Sequence, residues 1–473
     1  MALNETRTPN ETRTLNETQA SHEVAMASRE ACQASGQASR QDAIVVGGGL
    51  AGLATACYLA RGGRSVTLLE KASSVGGRAV TDTPHGYALN RGVHALYSGG
   101  PASDVLRELH VGYTSGTPKR IFALDGRGLH RFPTTLLDFV RTTLLDTAEV
   151  TEIAGIFVRL VTLQPNSLGQ ESCADWIDRV ARRARVRQLL TALARVYMYS
   201  SALDIVSADA FVERLKQTVS HPIHYVDGGW QTLVDGLRQA AVSSGVQLVT
   251  SAAVESVSVS GGSARGVRLA DGTELECSEV VLAVMPRDAL HLVGSPLQHV
   301  LADSVPAQVA CLDVALERLP APAHPVVFDL ERPLFATVQS EFARLAPNGG
   351  AVIHAFKQLD PRQPGDPHQD VADLEAFMDW LQPGWQQLVV ERRVLPRMIA
   401  AGVLPLASRG GLRGRATYRL GDIANLSFVG DWVGPRGFLA DASLDSAREV
   451  ARRILEKWPG EEVGSTPMAV AAA

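Results

Sequence analysis

The chain has 473 residues, 45% hydrophobic and 20% charged, with a net charge of -5 at neutral pH; this is room for two or three domains and too balanced a charge for a nucleic-acid partner. Its 40 Arg against 5 Lys follow a GC-rich, bacterial coding bias rather than a chemical need. Five widely spaced cysteines (Cys32, Cys57, Cys173, Cys277, Cys311) predict neither a disulfide framework nor a metal centre and fit a reducing cytoplasm.

Residues 1–40 open with a hexapeptide repeat, NETRTP, NETRTL, NETQ, and continue rich in Ser, Ala, Gln and Glu. No apolar periodicity runs through them, so the expectation is a disordered tail, and no basic-then-apolar secretory layout is present. From Asp42 the pattern changes to AIVV, GGGLAG, LATACYLA, GG and SVTLLE, which predicts a strand, a glycine turn, an Ala-rich helix and a second strand, one βαβ unit. Apolar residues at three- and four-residue spacing predict helices between about Pro133 and Thr218. The faces Leu136, Phe139, Val140, Leu144 and Ile153, Ile156, Phe157, Leu160 are candidates to wall a tunnel or dock on a membrane. The longest apolar run there, Ile153 to Leu163, is interrupted by Arg159 and is too short to span a bilayer. Residues 245–284 alternate as strands joined by Gly-Gly and Asp-Gly turns, and the chain ends on a strand, LSFVG, and a helix, LDSAREVARRIL. This order predicts interleaved domains: nucleotide-binding parts at 41–115, 226–300 and 416–458, substrate-domain parts at 116–225 (a helical insert) and 301–415, and a flexible tail at 459–473.

The sharpest motif is Gly47-Gly48-Gly49-Leu50-Ala51-Gly52, between the strand and the helix of the βαβ unit. Gly47 allows the tight turn, Gly49 lets backbone amides reach a pyrophosphate, and Gly52 lets helix and sheet pack closely. Glu70 ends the next strand 18 residues beyond Gly52, where a carboxylate accepts hydrogen bonds from ribose hydroxyls. Strand, turn, helix, strand and acid in register predict a Rossmann-type dinucleotide site.

The following segments are similar to the flavin amine oxidase and phytoene desaturase superfamily over residues 42 to about 456. Glu70-Lys71, then Gly76-Gly77-Arg78, resembles its acid and Gly-Gly-Arg signature, with Arg78 a fork of donors for a diphosphate. Gly92-Val93-His94 resembles the segment beneath the flavin ring, and Gly228-Gly229-Trp230 a family strand-to-helix turn. Val254 falls where such proteins hold adenine through backbone groups. Asp431 in VGDW resembles the acid for the ribityl or phosphate region, and Phe438, Leu439 and Ala440 open a helix whose amides point at the flavin pyrimidine. The resemblance implies an α/β fold, a glutathione-reductase-like FAD domain with an interleaved α+β substrate domain, and non-covalent FAD as cofactor. No second glycine motif suits a nicotinamide site, so the implied electron acceptor is oxygen, a quinone or another carrier.

Two departures bear on substrate. Amine-oxidising members place a Lys near flavin N5, yet the strand that looks equivalent, Pro306 to Leu316, has none; and the family's second cage aromatic, Tyr or Trp, is Phe438. His94 is the titratable candidate near the ring, against the blander reading of a structural hydrogen-bonder. Tyr197, Tyr199 and Trp230 are candidate cavity liners. These features favour dehydrogenation, desaturation or isomerisation of an apolar isoprenoid or lipid-like molecule. Amine or amino-acid oxidation and a non-catalytic flavin scaffold are the alternatives.

Overall fold

The computed structural model describes residues 40–458 apart from 135–137, 139–141 and 302–303. The two expected tails and the apolar residues Leu136, Phe139 and Val140 therefore lie outside the described residues.

The first apolar run forms β1 (Gln41–Val46), whose residues from Ala43 onward are buried on both faces, as befits a central strand of a parallel sheet. The glycine turn leads into α1 (Leu50–Arg61), which ends where Gly62 and Gly63 take over, and the chain returns as β2 (Val66–Leu69) beside β1. Helix α2 (Pro101–Glu108) follows. Much further along come β5 (Gln247–Val249), β6 (Val254–Ser260), β7 (Ser263–Leu269), β8 (Glu274–Leu282) and β14 (Leu426–Phe428). The parallel order is β5-β2-β1-β8-β14; β7 pairs antiparallel with the start of β8, and β6 antiparallel with β7. The last helix, α10 (Ala440–Lys457), packs against α1 so closely that a Cβ on Gly62 would meet the Leu455 side chain at 2.4 Å.

A second, mostly antiparallel sheet has the order β13-β9-β12-β11-β10-β3-β4, built from β3 (Phe122–Asp125), β4 (Gly128–Arg131), β9 (Ala307–Leu316), β10 (Val326–Asp329), β11 (Leu334–Val338), β12 (Ala351–Gln358) and β13 (Val389–Ala401). The period-2 rule sorts β9. Ala307, Val309 and Cys311 face a layer of helices, α3 (Thr147–Thr162), α4 (Cys173–Val180), α5 (Ala184–Met198) and α6 (Ala208–Ser220), while Ala310, Leu312, Val314 and Leu316 face α9 (Pro367–Leu381). Helix α7 (Gln231–Ser243) follows the Gly228-Gly229 turn, and α8 (Pro286–Val293) follows β8.

Within the stretch read as a helical insert, β3 and β4 form a hairpin on the sheet edge. The described residues of the insert's apolar faces do not wall a tunnel: Leu144, Ile153, Ile156 and Leu160 are buried in the core shared by α3–α6 and the sheet, with Phe157 packed against it. Among the described residues no helix is long and apolar enough to cross a membrane, and the four described cysteines are free and buried.

Candidate active site

The register of the parallel strands sets Val46, Leu69, Val249, Leu282 and Phe428 in one row at their carboxyl ends. The loops that leave this row bound a cavity of about 740 Å³, closed on its other side by the antiparallel sheet. A crevice beyond the carboxyl ends is where an open α/β sheet binds its ligand.

The glycines divide by role. Gly47, at φ +105°, would bring a Cβ within 2.5 Å of the Ala283 carbonyl, and Gly52 would bring one within 1.9 Å of the Gly47 carbonyl oxygen. Gly49 has nothing within 4 Å of an added Cβ, and Gly77, at φ +55°, has only the Gly49 Cα at 3.6 Å. Gly49 and Gly77 thus form an open cradle at the start of α1, whose N-cap carries no side-chain hydrogen bond, so the first amides are available to an anion. Beside the cradle, Glu70 accepts the Gly48 N–H at 2.7 Å and the Ala72 N–H at 2.8 Å, fixing a buried carboxylate on the cavity wall.

Opposite stands Asp431, 2% exposed. Its Oδ2 accepts the Gly402 N–H at 2.9 Å and pairs with the Arg78 guanidinium at 2.9 Å; its Oδ1 is buried without a partner. An orphaned carboxylate oxygen on a cavity wall suits a hydroxyl donor of a bound ligand. Arg78 also donates to the Ala400 carbonyl. Behind the loop, buried Arg415 donates to the carbonyls of Asp431 and Arg436, stapling residues 431–436 in shape.

The cavity floor is the segment Val93–Tyr97. It is tied to the antiparallel sheet by Asp313, wholly buried on β9, which accepts the Gly92 N–H at 3.2 Å, His354 Nδ1–H at 2.7 Å and the Arg393 guanidinium at 2.9 Å. His94 sets Nδ1 against the Gly92 carbonyl and Nε2 against the Arg78 carbonyl, each at 3.1 Å, with its ring edge on Trp230. Burial pushes the imidazole pKa down to about 4, so the ring is neutral at pH 7. The neutral ring has a single N–H, which it donates to one of the two carbonyls, while its other nitrogen faces the second, so His94 is held between backbone groups.

The far end of the cavity is lined by Tyr97, Tyr199, Phe438, Leu439 and, on β13, Leu395, Arg397, Met398, Ile399 and Ala400. The expected strand, β9, lies one position behind: β13 is the sheet edge that lines the cavity, and no β9 residue reaches it. Of the five lysines only Lys71 lines the cavity, where it faces Asp288 at 3.5 Å; Lys216 donates to the Leu163 carbonyl and Lys357 pairs with Asp370 and Asp373.

Fifteen of the seventeen expected site residues line this one cavity: Gly47, Gly49, Leu50, Ala51, Glu70, Lys71, Gly77, Arg78, Val93, His94, Val254, Asp431, Phe438, Leu439 and Ala440. Gly52 and Gly92 do not. They are packing glycines, the first under the Gly47 carbonyl, the second against the Met398 side chain at 2.3 Å from an added Cβ. Tyr199 and Trp230 line the cavity, whereas Tyr197 packs on Phe211. The sequence reading missed Tyr97, Arg214 and Asp441. Arg214 carried a signal: it interrupts the apolar stripe Phe211, Leu215 of α6, and an Arg in a core stripe is rarely idle.

A family model described as "FAD dependent oxidoreductase" matches residues 42–439. A coproporphyrinogen III oxidase of Propionibacterium freudenreichii is 25% identical over 457 aligned positions, covering 76% of this chain and 82% of that protein. A carotenoid 3,4-desaturase of Haloarcula japonica is 48% identical over 54 residues, which span 11% of each chain. The fold is shared with an oxidoreductase from Methanosarcina mazei (TM-score 0.72, 16% identity, 87% of this chain and 100% of that one). It is also shared with a redesigned putrescine oxidase (TM-score 0.69, 16% identity, 89% and 99%). A putative protoporphyrinogen oxidase from Exiguobacterium sp. aligns at TM-score 0.65 and 18% identity, over 89% and 100%.

Proposed function

The chain belongs to the FAD dependent oxidoreductase family, and from that premise we propose that it dehydrogenates or desaturates an apolar small molecule at carbon, with an isoprenoid or lipid-like compound as the leading substrate class. Bound FAD supplies the hydride acceptor. The open cradle of Gly49 and Gly77, the buried acid Glu70 and the orphaned Oδ1 of Asp431 fit a dinucleotide with a diphosphate, a ribose and a ribityl chain. The observation that carries the substrate reading is the apolar share of the cavity wall: Val93, Ala95, Leu96, Leu395, Met398, Ile399 and Phe438 line it, and Lys71 is the one lysine among the lining residues. Such a wall orients a carbon skeleton by shape and excludes water. Oxygen, a quinone or another carrier serves as electron acceptor in this reading, since Gly261–Gly266 lies in the β6–β7 hairpin and Gly410–Gly414 in short helical turns, neither a nicotinamide site.

A second reading, oxidation of a porphyrinogen, is favoured by the relative aligned along 76% of the chain. One experiment separates these. In anaerobic stopped flow, the oxidised flavin band is followed after mixing with a polyprenoid in liposomes, with coproporphyrinogen III, or with a primary amine. Bleaching by the polyprenoid is the expected result, bleaching with appearance of porphyrin selects the second reading, and rapid bleaching by the amine alone refutes both.

A further inference from the structure

The edge strand β13 reaches the cavity through an irregularity that re-aims one side chain. Opposite β9, Val309 pairs with Met398 and Cys311 with Leu395, so β13 carries one residue more than β9 over this step. In a regular strand, residues three apart point to opposite faces; the extra residue brings Leu395 and Met398 to the same face, against the helix-side core that Val309 and Cys311 also face. Pro396 is tolerated at such a bulge on an edge strand. Arg397 pins the bulge, donating to Asp370 at 2.6 Å and to the Pro364 carbonyl at 2.9 Å.

Met398 closes a corner of the cavity that the floor leaves open. Gly92, at φ +81°, has no side chain there, and a Cβ on it would overlap the Met398 Sδ and come within 2.8 Å of its Cε and 3.3 Å of the Cys311 Sγ. The thioether thus sits in a notch over Gly92, 4.0 Å from the buried Cys311 Sγ, and Met398 lines the cavity from that seat. The next residue, Ile399, also lines the cavity but is β-branched and 36% exposed, so its truncation opens towards solvent rather than into an enclosed notch. Methionine is unbranched and adaptable, which suits it to fill such an irregular gap.

We propose that Met398 determines specificity by size: its thioether occupies the notch over Gly92 and Cys311, and the space it fills is the space that a broader carbon skeleton would take. This rests on the reading of the cavity as the site of an apolar substrate and deepens it, by naming the side chain that limits which members of that class enter. The selection is by shape. A single methylene more or less in an apolar pocket discriminates about 10- to 200-fold, so emptying the notch is read in relative affinities.

The test is equilibrium binding to the oxidised holoenzyme, with no turnover, so its outcome is independent of which compound reduces the flavin. Benzene and naphthalene differ by one fused ring, close to the bulk of the Cγ, Sδ and Cε that Met398→Ala removes. Both are titrated into wild type, Met398→Ala and Ile399→Ala by equilibrium dialysis and by perturbation of the flavin band. The ratio of naphthalene to benzene affinity is expected to rise at least about tenfold in Met398→Ala and to stay within about threefold of wild type in Ile399→Ala. Met398→Val is expected to raise the ratio in the same direction, and it decides the matter should Met398→Ala fail to fold. An unchanged ratio in the folded Met398 variants, or an equal rise in Ile399→Ala, overturns the proposal and leaves the apolar-substrate reading standing. Binding of neither probe to any of these proteins overturns that reading and the proposal with it. Loss of FAD from Met398→Ala at unchanged melting temperature overturns the proposal too, by assigning the notch to the cofactor.

Discussion

Replacing Gly49 by Ala and, separately, Gly52 by Ala separates a glycine kept for a ligand from one kept for packing. At Gly49 the backbone sits at φ -75° and ψ -177°, ordinary for alanine, and the added Cβ meets nothing within 4 Å. The apoprotein should therefore keep its stability or gain roughly 0.4–1 kcal/mol through the stiffer unfolded chain. The same methyl enters the cradle that faces Gly77, where overpacking costs about 1–3 kcal/mol and weakens FAD roughly 5- to 150-fold. At Gly52 the Cβ lies 1.9 Å from the Gly47 carbonyl oxygen and 3.1 Å from the Ala283 Cβ. A backbone oxygen cannot rotate aside, so α1 must withdraw from the sheet, and a loss above about 4 kcal/mol is expected. Urea unfolding of the two apoproteins and titration with FAD, followed by quenching of flavin fluorescence, measure both terms. FAD affinity of Gly49→Ala within twofold of wild type, or destabilisation of the Gly49→Ala apoprotein as large as that of Gly52→Ala, would refute the division.

Asp431→Asn should lower FAD affinity about tenfold through the lost charge-assisted bond at its orphaned oxygen, with little change in apoprotein melting because its partner Arg78 is 44% exposed; unchanged affinity in a titration counts against the assignment. Because the folded pKa of His94 is depressed to about 4, its contribution is complete above the unfolded value near 6.5 and is lost as pH falls from there towards 4. On the order of 1–2 kcal/mol is involved, discounted because part of the ring faces the cavity, and a His94→Gln variant whose stability falls just as steeply over that window contradicts this. Asp441→Ala leaves Arg214 buried without its carboxylate and the Ala102 N–H without its acceptor, so a loss of roughly 3–5 kcal/mol is expected. The double variant Arg214→Met, Asp441→Leu should recover part of it in the same thermal scan, and no recovery would deny the pairing.

What could be read in the sequence was local. The βαβ start of the chain announces itself through β1, whose apolar run is unbroken because both faces are buried, and through a glycine turn whose spacing answers to backbone contact alone. The strands of 254–282 were legible because Gly261-Gly262 and Asp271-Gly272 turns bracket them. The hairpin β3–β4 was not, since each strand has four residues and β4 carries His130 and Arg131 on a half-exposed edge. Nor was β13, where Arg392, Arg393 and Arg397 obscure the alternation; each answers an acid elsewhere in the chain, Glu375, Asp313 and Asp370. The surroundings of His94 were not legible for a related reason: the two carbonyls beside its ring nitrogens are backbone groups and leave no trace in side-chain identity.

The start of α10 shows how far tertiary contacts redirect a local rule. Asp441 stands in the first turn, where a carboxylate would normally offset the positive end of the helix dipole. Here that carboxylate faces away from the helix start: it accepts the Ala102 N–H at 3.0 Å at the head of α2, which Gly100 cannot cap with a side chain, and it binds Arg214. The N-cap position is filled by Leu439 at φ 57° and ψ -125°, a conformation costly for a residue with a Cβ and tolerated where the surroundings over-determine it. With no side-chain cap and its first-turn acid committed elsewhere, the N-terminus of α10 keeps its partial positive charge for the cavity that Phe438, Leu439 and Ala440 line. With FAD placed as proposed, such a terminus would stabilise negative charge on the flavin, and the Leu439 conformation and the Asp441–Arg214 pair would serve that one electrostatic end, although nothing in the local sequence pairs residue 214 with residue 441.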